Sequence, residues 1–179
     1  MVEYCDTVGR LGGKGKNKLH PKFLISICPY KEIPVNYTLK DGFEVMDFIR
    51  VTEMLTTAFW SPGILIDEVV QGALNSALVV GAFDPQNQQI GYARVISDRT
   101  RFAYILDVIV DENYRKQGIG QAMVNYILAY QDLKAVYNWL LITKDAQEVY
   151  KKVGFKVTER KNDWMEIRKP RKNPEHTCI

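Results

Sequence analysis

The chain has 179 residues and a mass of 20.6 kDa, the size of one ordinary domain, and its 46% hydrophobic and 25% charged residues exclude global disorder or a fibrous repeat. The formal charge of +3 comes from the ends: residues 1–35 carry six Lys/Arg against three acids and residues 160–179 again six against three, which reads as solvated basic segments and predicts no nucleic-acid binding. The longest uncharged stretch, 69–83, is broken by Gln71, Asn75 and Ser76 and falls short of the roughly 20 apolar residues of a membrane helix, and the N-terminus has no secretory pattern, so the expectation is a cytoplasmic protein with no membrane partner.

The glycine- and lysine-rich run 9–18, with Leu11 alone to bury, reads as a mobile segment. It is not a phosphate-binding P-loop, because Gly9 and Gly13 enclose three residues where that motif needs four and Gly15 replaces the Ser/Thr. From Val35 the pattern becomes regular: a strand at 35–39, a helix at 45–55 with Val45, Phe48, Ile49, Thr52 and Leu55 on one stripe, and a helix at 64–74 after the break Phe59-Trp60-Ser61-Pro62-Gly63. Residues 77–83 and 89–96 read as a hairpin around the turn-rich 84–88, followed by a long strand at 102–110. An amphipathic helix is predicted at 119–130, a strand at 137–143, a short helix at 145–153 ended by Gly154, and a last hairpin from 155–158 and 164–167. The order βααβββαβαββ predicts a mixed α/β sheet with helices on both faces.

The three cysteines, Cys5, Cys28 and Cys178, are odd in number and form no Cys-x-x-Cys pair, while His20 and His176 lie toward the ends. A disulfide framework, a structural zinc site and a central histidine triad are therefore excluded, and no metal is expected.

The junction after strand 102–110 carries the chemistry. Arg115-Lys116-Gln117-Gly118-Ile119-Gly120 opens directly into a helix, so unpaired N–H groups and the positive end of a helix dipole converge on one place. Gly118 and Gly120 let a ligand reach the backbone, and Arg115 and Lys116 add charge suited to a pyrophosphate. A Gly-x-Gly-x-x-Gly fingerprint is absent, which disfavours a dinucleotide.

With its strand ending at Val110, four residues, then Arg115-x-x-Gly118-x-Gly120 at a helix start, and Tyr150 shortly before Gly154-Phe155, the sequence resembles the GNAT superfamily of acyl-CoA-dependent N-acyltransferases over about 35–167. That resemblance implies a mostly antiparallel mixed sheet with a splayed strand pair, in a domain at 35–169 between a basic extension (1–34) and a tail (170–179). It implies acetyl-CoA as co-substrate, its pantetheine along Val108, Ile109 and Val110 and its pyrophosphate on the amides of 115–121, including Gln117, Ile119 and Gln121. A backbone N–H near Ile109 or Val110 would polarise the thioester carbonyl, and Tyr150 would meet the departing thiolate as general acid.

Asp107 interrupts an apolar strand, where a charge is expensive unless it faces a cleft or a partner; it is the candidate base, with a structural carboxylate as the alternative. Thr143 stands where similar enzymes often have an asparagine contacting the cofactor. Trp60 offers an aromatic wall for the acceptor, with Tyr37 and Tyr104 more distant candidates. The expected activity is acetyl transfer from acetyl-CoA to a primary amine of a small molecule, without a covalent enzyme intermediate. The alternatives are a protein or peptide acceptor and a non-catalytic acyl-CoA-binding module; a homodimer is common among similar proteins.

Overall fold

The computed structural model describes residues 36–169. The glycine–lysine run, all three cysteines, both histidines and most of the two charged ends lie outside them. The elements are β1 (Thr38–Asp41), α1 (Phe48–Thr56), α2 (Ile66–Leu74), β2 (Leu78–Phe83), β3 (Gln89–Ser97), β4 (Phe102–Val110), α3 (Ile119–Leu128), β5 (Asn138–Leu140) and α4 (Gln147–Lys151). The strands form one sheet in the order β1-β2-β3-β4-β5, antiparallel except for the parallel β4–β5 pair. Among the described residues no helix is long and apolar enough to cross a membrane.

All six residues of β2 are buried, as an uninterrupted apolar strand in the middle of a covered sheet should be. One face meets α1 and α2 through Val51, Met54, Leu55, Val69 and Ala73, which pack with Val79, Phe83, Tyr92 and Ile109. The other face meets α3, whose Ile119, Met123, Val124 and Ile127 are at most 1% exposed; at roughly 2 kcal/mol for each large apolar side chain, this stripe rather than helix propensity docks α3. Tyr126 and Tyr130 tie the end of this helical segment to β1 by donating to the two carboxylate oxygens of Asp41, at 2.6 and 2.9 Å. Asp47 caps α1 by accepting from the Arg50 amide at 3.0 Å.

Several predicted bounds move. The first helix is split into a 3-10 turn at Phe43–Val45 and α1, and the fifth strand shrinks from 137–143 to Asn138–Leu140. The last hairpin is not formed: 155–158 and 164–167 contain no strand, and a 3-10 turn at Lys161–Asp163 lies between them. Their apolar residues supply the alternation of strands, but no partner edge takes them up, and Met165 and Ile167 are 97% and 91% exposed. β5 is therefore an edge strand of the described sheet.

Two features position the site. The β4–β5 pairing spans only Phe102↔Asn138 to Tyr104↔Leu140, and no described residue pairs the remainder of β4 on that side, so the two strands part. β4 also carries a bulge: Tyr92 pairs with Ile109 but Arg94 with Leu106, leaving one extra residue on β4, and Asp107 has φ +53°.

Candidate active site

The end of β4, the loop after it and the start of α3 form one wall of a cavity of about 620 Å³. Val108, Ile109 and Val110 line it from the strand, and Arg115, Lys116, Gly118, Ile119, Gly120 and Gln121 from the loop and helix. The loop turns through two left-handed residues, Lys116 at φ +64° and Gly118 at φ +80°, and Gly118 is the residue from which α3 starts. Its carbonyl accepts the Ala122 amide at 2.9 Å, while the amides of the first turn have no carbonyl within the helix to reach. Arg115 Nε donates to the Val110 carbonyl at 3.0 Å, closing the loop back on its strand.

The chemistry of this wall fits acetyl-CoA: amides and a helix dipole for phosphates, the cations Arg115, Lys116 and Lys152 at the same cavity, and open backbone at the glycines. A Cβ added at Gly118 would meet nothing within 4 Å, and one at Gly120 would lie 3.8 Å from Val110 Cγ2 and 3.9 Å from Val108 Cγ1. Gly118 faces open space, and Gly120 leaves room for a methyl group in ordinary contact with Val108 and Val110.

The opposite wall comes from the α1–α2 loop and α4. Thr57, Ala58, Phe59 and Trp60 supply the first part; Phe59 and Trp60 meet edge to face at 5.1 Å, and Lys144 Nζ lies 5.6 Å from the Phe59 ring centre. Asp145, Ala146, Val149 and Tyr150 supply the second. Tyr150 also lines a smaller, apolar cavity of about 270 Å³ with Trp139, Leu141 and Phe155, and so borders both. Burial, and secondarily the nearby Asp145 carboxylate, raise the Tyr150 phenol above its ordinary value near 10. Gln121 Nε2 donates to the Val149 carbonyl at 3.3 Å, linking the glycine-loop wall to the helix that holds Tyr150.

Eleven sequence-predicted residues thus share one cavity: Val108, Ile109, Val110, Arg115, Lys116, Gly118, Ile119, Gly120, Gln121, Trp60 and Tyr150. Gln117 lies in the same loop but does not line it. Thr143 lines the smaller cavity, and its hydroxyl accepts the Ala146 amide at 3.0 Å. Tyr37 packs against the α3-side core, and Tyr104 is partly buried on β4, its phenol raised by burial and then by Asp107 and Glu166. Asp107 does not line the cavity; its Oδ2 accepts Arg94 Nε at 2.5 Å, the two side chains being 16% and 17% exposed.

Sequence reasoning missed Tyr114, Asp145 and Lys152 as lining residues, and Arg94 as the partner of Asp107. The signal for Arg94 was present: two opposite charges in adjacent, otherwise apolar strands.

Residues 75–157 match the family model for the acetyltransferase (GNAT) domain. An uncharacterized N-acetyltransferase, ycf52, of the alga Gracilaria tenuistipitata var. liui is 34% identical over 89 residues; the match takes in 45% of this chain, which spans about half (47%) of that relative's length. Among solved structures, a Xanthomonas campestris pv. campestris protein assigned to the GNAT family as an acetyltransferase superposes with TM-score 0.70 at 27% identity, covering 75% of this chain and 94% of that one. A Clostridium acetobutylicum protein predicted to be an acetyltransferase and solved with acetyl-CoA shares the fold, with TM-score 0.59 at 18% identity over 74% of this chain and 96% of that one. The match over 75–157 and the shared fold make this chain similar to the GNAT acetyltransferases.

Proposed function

We propose that this protein transfers the acetyl group of acetyl-CoA directly to a primary amine, the acceptor being a small molecule and the setting cytoplasmic. The observation that carries this reading is the convergence of strand end, glycine loop, aromatic loop and Tyr150 on one cavity of about 620 Å³. Arg115, Lys116, Lys152 and the amides from 116 to 121 would hold the phosphates, and the parted edge of β4 would receive the pantetheine. An amide near Ile109 or Val110 would donate to the thioester oxygen as charge develops there, an effect worth roughly 3 kcal/mol where such donors have been removed in other enzymes. Amine nitrogen attacks the carbonyl carbon, the C–N bond forms, and the C–S bond breaks.

Tyr150 faces that leaving sulfur on this reading. Even at ordinary values of about 10 for tyrosine and about 8.5 for a thiol, full proton transfer is uphill by roughly 2 kcal/mol, and its raised pKa widens the gap. Tyr150 therefore serves chiefly as a hydrogen-bond donor to the thiolate. The ion pair with Arg94 supports a holding role for Asp107, so the proton of the amine leaves through water.

The test is release of free CoA thiol from acetyl-CoA across a panel of small primary amines and short peptides. Acetylation of at least one small amine, with turnover reduced about 100-fold or more in Tyr150→Phe, is expected. Turnover with peptides only would move the acceptor to the alternative class. Thermal stabilisation by acetyl-CoA without turnover on any acceptor would leave a binding module.

A further inference from the structure

We propose that Arg94 and Asp107 form a positioning pair that holds the β4 bulge and so turns Val108–Val110 into the cavity. This rests on the acetyltransferase reading for its catalytic consequence, but the geometry stands without it. Before the bulge, Ala103 and Ile105 belong to the core on the α3 side of the sheet; after it, Val108 and Val110 pack against that same core, and Ile109 belongs to the opposite one. The step from 105 to 108 is three residues, not two, so the extra residue reverses which side chains face α3. Without it Val108 and Val110 would leave the glycine loop and Ile109 would take their side.

Something must hold that residue. Asp107 sits at φ +53°, a conformation that asparagine and aspartate tolerate better than most residues but seldom adopt unaided. Arg94 Nε bonds its carboxylate at 2.5 Å, while Arg94 Nη1 reaches the Gly72 carbonyl at 3.4 Å and Ser76 Oγ at 3.5 Å. Gly72 lies in the last turn of α2, whose carbonyl end favours a cation. Arg94 thereby joins α2 to the bulged strand. The pair is mostly out of water, so either charge alone would be left without compensation.

The pair can be removed as a pair, and the backbone demand tested separately, because glycine enters the left-handed region freely and alanine does not. The variants are Arg94→Met/Asp107→Gly and Arg94→Met/Asp107→Ala, which carry no unpaired charge. Amide hydrogen exchange at 106–110 reads the bulge directly and needs no turnover. The expected result is protection in the glycine double variant within about threefold of wild type and at least 30-fold faster exchange in the alanine one. CoA release should follow: for glycine, kcat within about tenfold of wild type and acetyl-CoA affinity within about threefold. For alanine, kcat should lie at least 30-fold below that and affinity should also fall at least tenfold, because the strand edge that receives the pantetheine is lost with the bulge.

A merely structural ion pair would change both variants alike. A catalytic base at 107 would abolish the acidic limb of the pH–rate profile in both, whereas positioning leaves that limb in place in the glycine variant. Equal exchange in the two variants, or loss of that limb, overturns the proposal. A wild-type protein that releases no CoA on any acceptor overturns the acetyltransferase reading instead, and the exchange result still decides the pair.

Discussion

The Ala146 amide donates to Thr143 Oγ1 at 3.0 Å, three residues back, immediately before the helix that carries Tyr150. Five residues make a short helix, Gln147–Lys151, and one that short has little stability of its own. The threonine hydroxyl satisfies a donor at its start and fixes where the chain turns from β5 into α4. Thr143 thus affects the cavity through the placement of Tyr150.

Thr143→Val keeps the shape and removes the acceptor. Loss of this hydrogen bond should destabilise the protein by about 1 kcal/mol, read as a lower denaturant midpoint at unchanged slope. Turnover should fall roughly tenfold through kcat, since the glycine-loop wall is untouched, and Thr143→Asn, which retains an acceptor, should recover most of both losses.

Gly120 gives a cleaner separation of binding from folding. A methyl group there would make ordinary contacts with Val110 and Val108 at 3.8 and 3.9 Å, so Gly120→Ala should fold as wild type or gain up to about 1 kcal/mol from helix propensity. The same methyl stands over backbone that lines the cavity. Acetyl-CoA affinity should drop at least tenfold by calorimetry while the melting temperature of the free protein does not fall. An unchanged affinity would mean that phosphates do not approach this turn.

The cavity was largely legible in the sequence because its parts are local. A loop with Arg115, Lys116, Gly118 and Gly120 between a strand and a helix marks one wall of the cavity within a few residues, and Tyr150 stands at a fixed spacing from Gly154 and Phe155. Relationships across strands were not legible in the same way. Asp107 was conspicuous as a charge inside an apolar strand, but its pairing with Arg94 depends on a register that the bulge itself shifts. The last hairpin failed for the opposite reason. Phe155, Val157, Trp164 and Ile167 have strand-forming side chains, but local alternation does not supply an edge to pair with, and 159–163 instead closes a turn with the Arg160–Asp163 ion pair at 2.9 Å.

The Asp41 anchor carries a pH dependence whose sign can be worked out. Tyr126 donates to Asp41 Oδ1 at 2.6 Å, and that hydrogen bond, followed by burial and the Asp41 charge, raises its phenol to about 12. A folded pKa above the unfolded value near 10 means that the folded state keeps the proton that the unfolded chain gives up. The contribution of this phenol is therefore complete below about pH 10 and is lost as pH rises through about 12. Tyr126→Phe removes it at every pH. At pH 7 the variant should be less stable by about 1.5 kcal/mol, the usual worth of a hydrogen bond to a charged group at a partly exposed site. The gap between wild type and variant should narrow between pH 10 and 12 as the wild-type phenolate meets the Asp41 carboxylate. Denaturant unfolding of both proteins at pH 7, 10 and 11.5 measures this; a gap that stays constant or widens with pH would mean that Asp41 does not hold the Tyr126 proton.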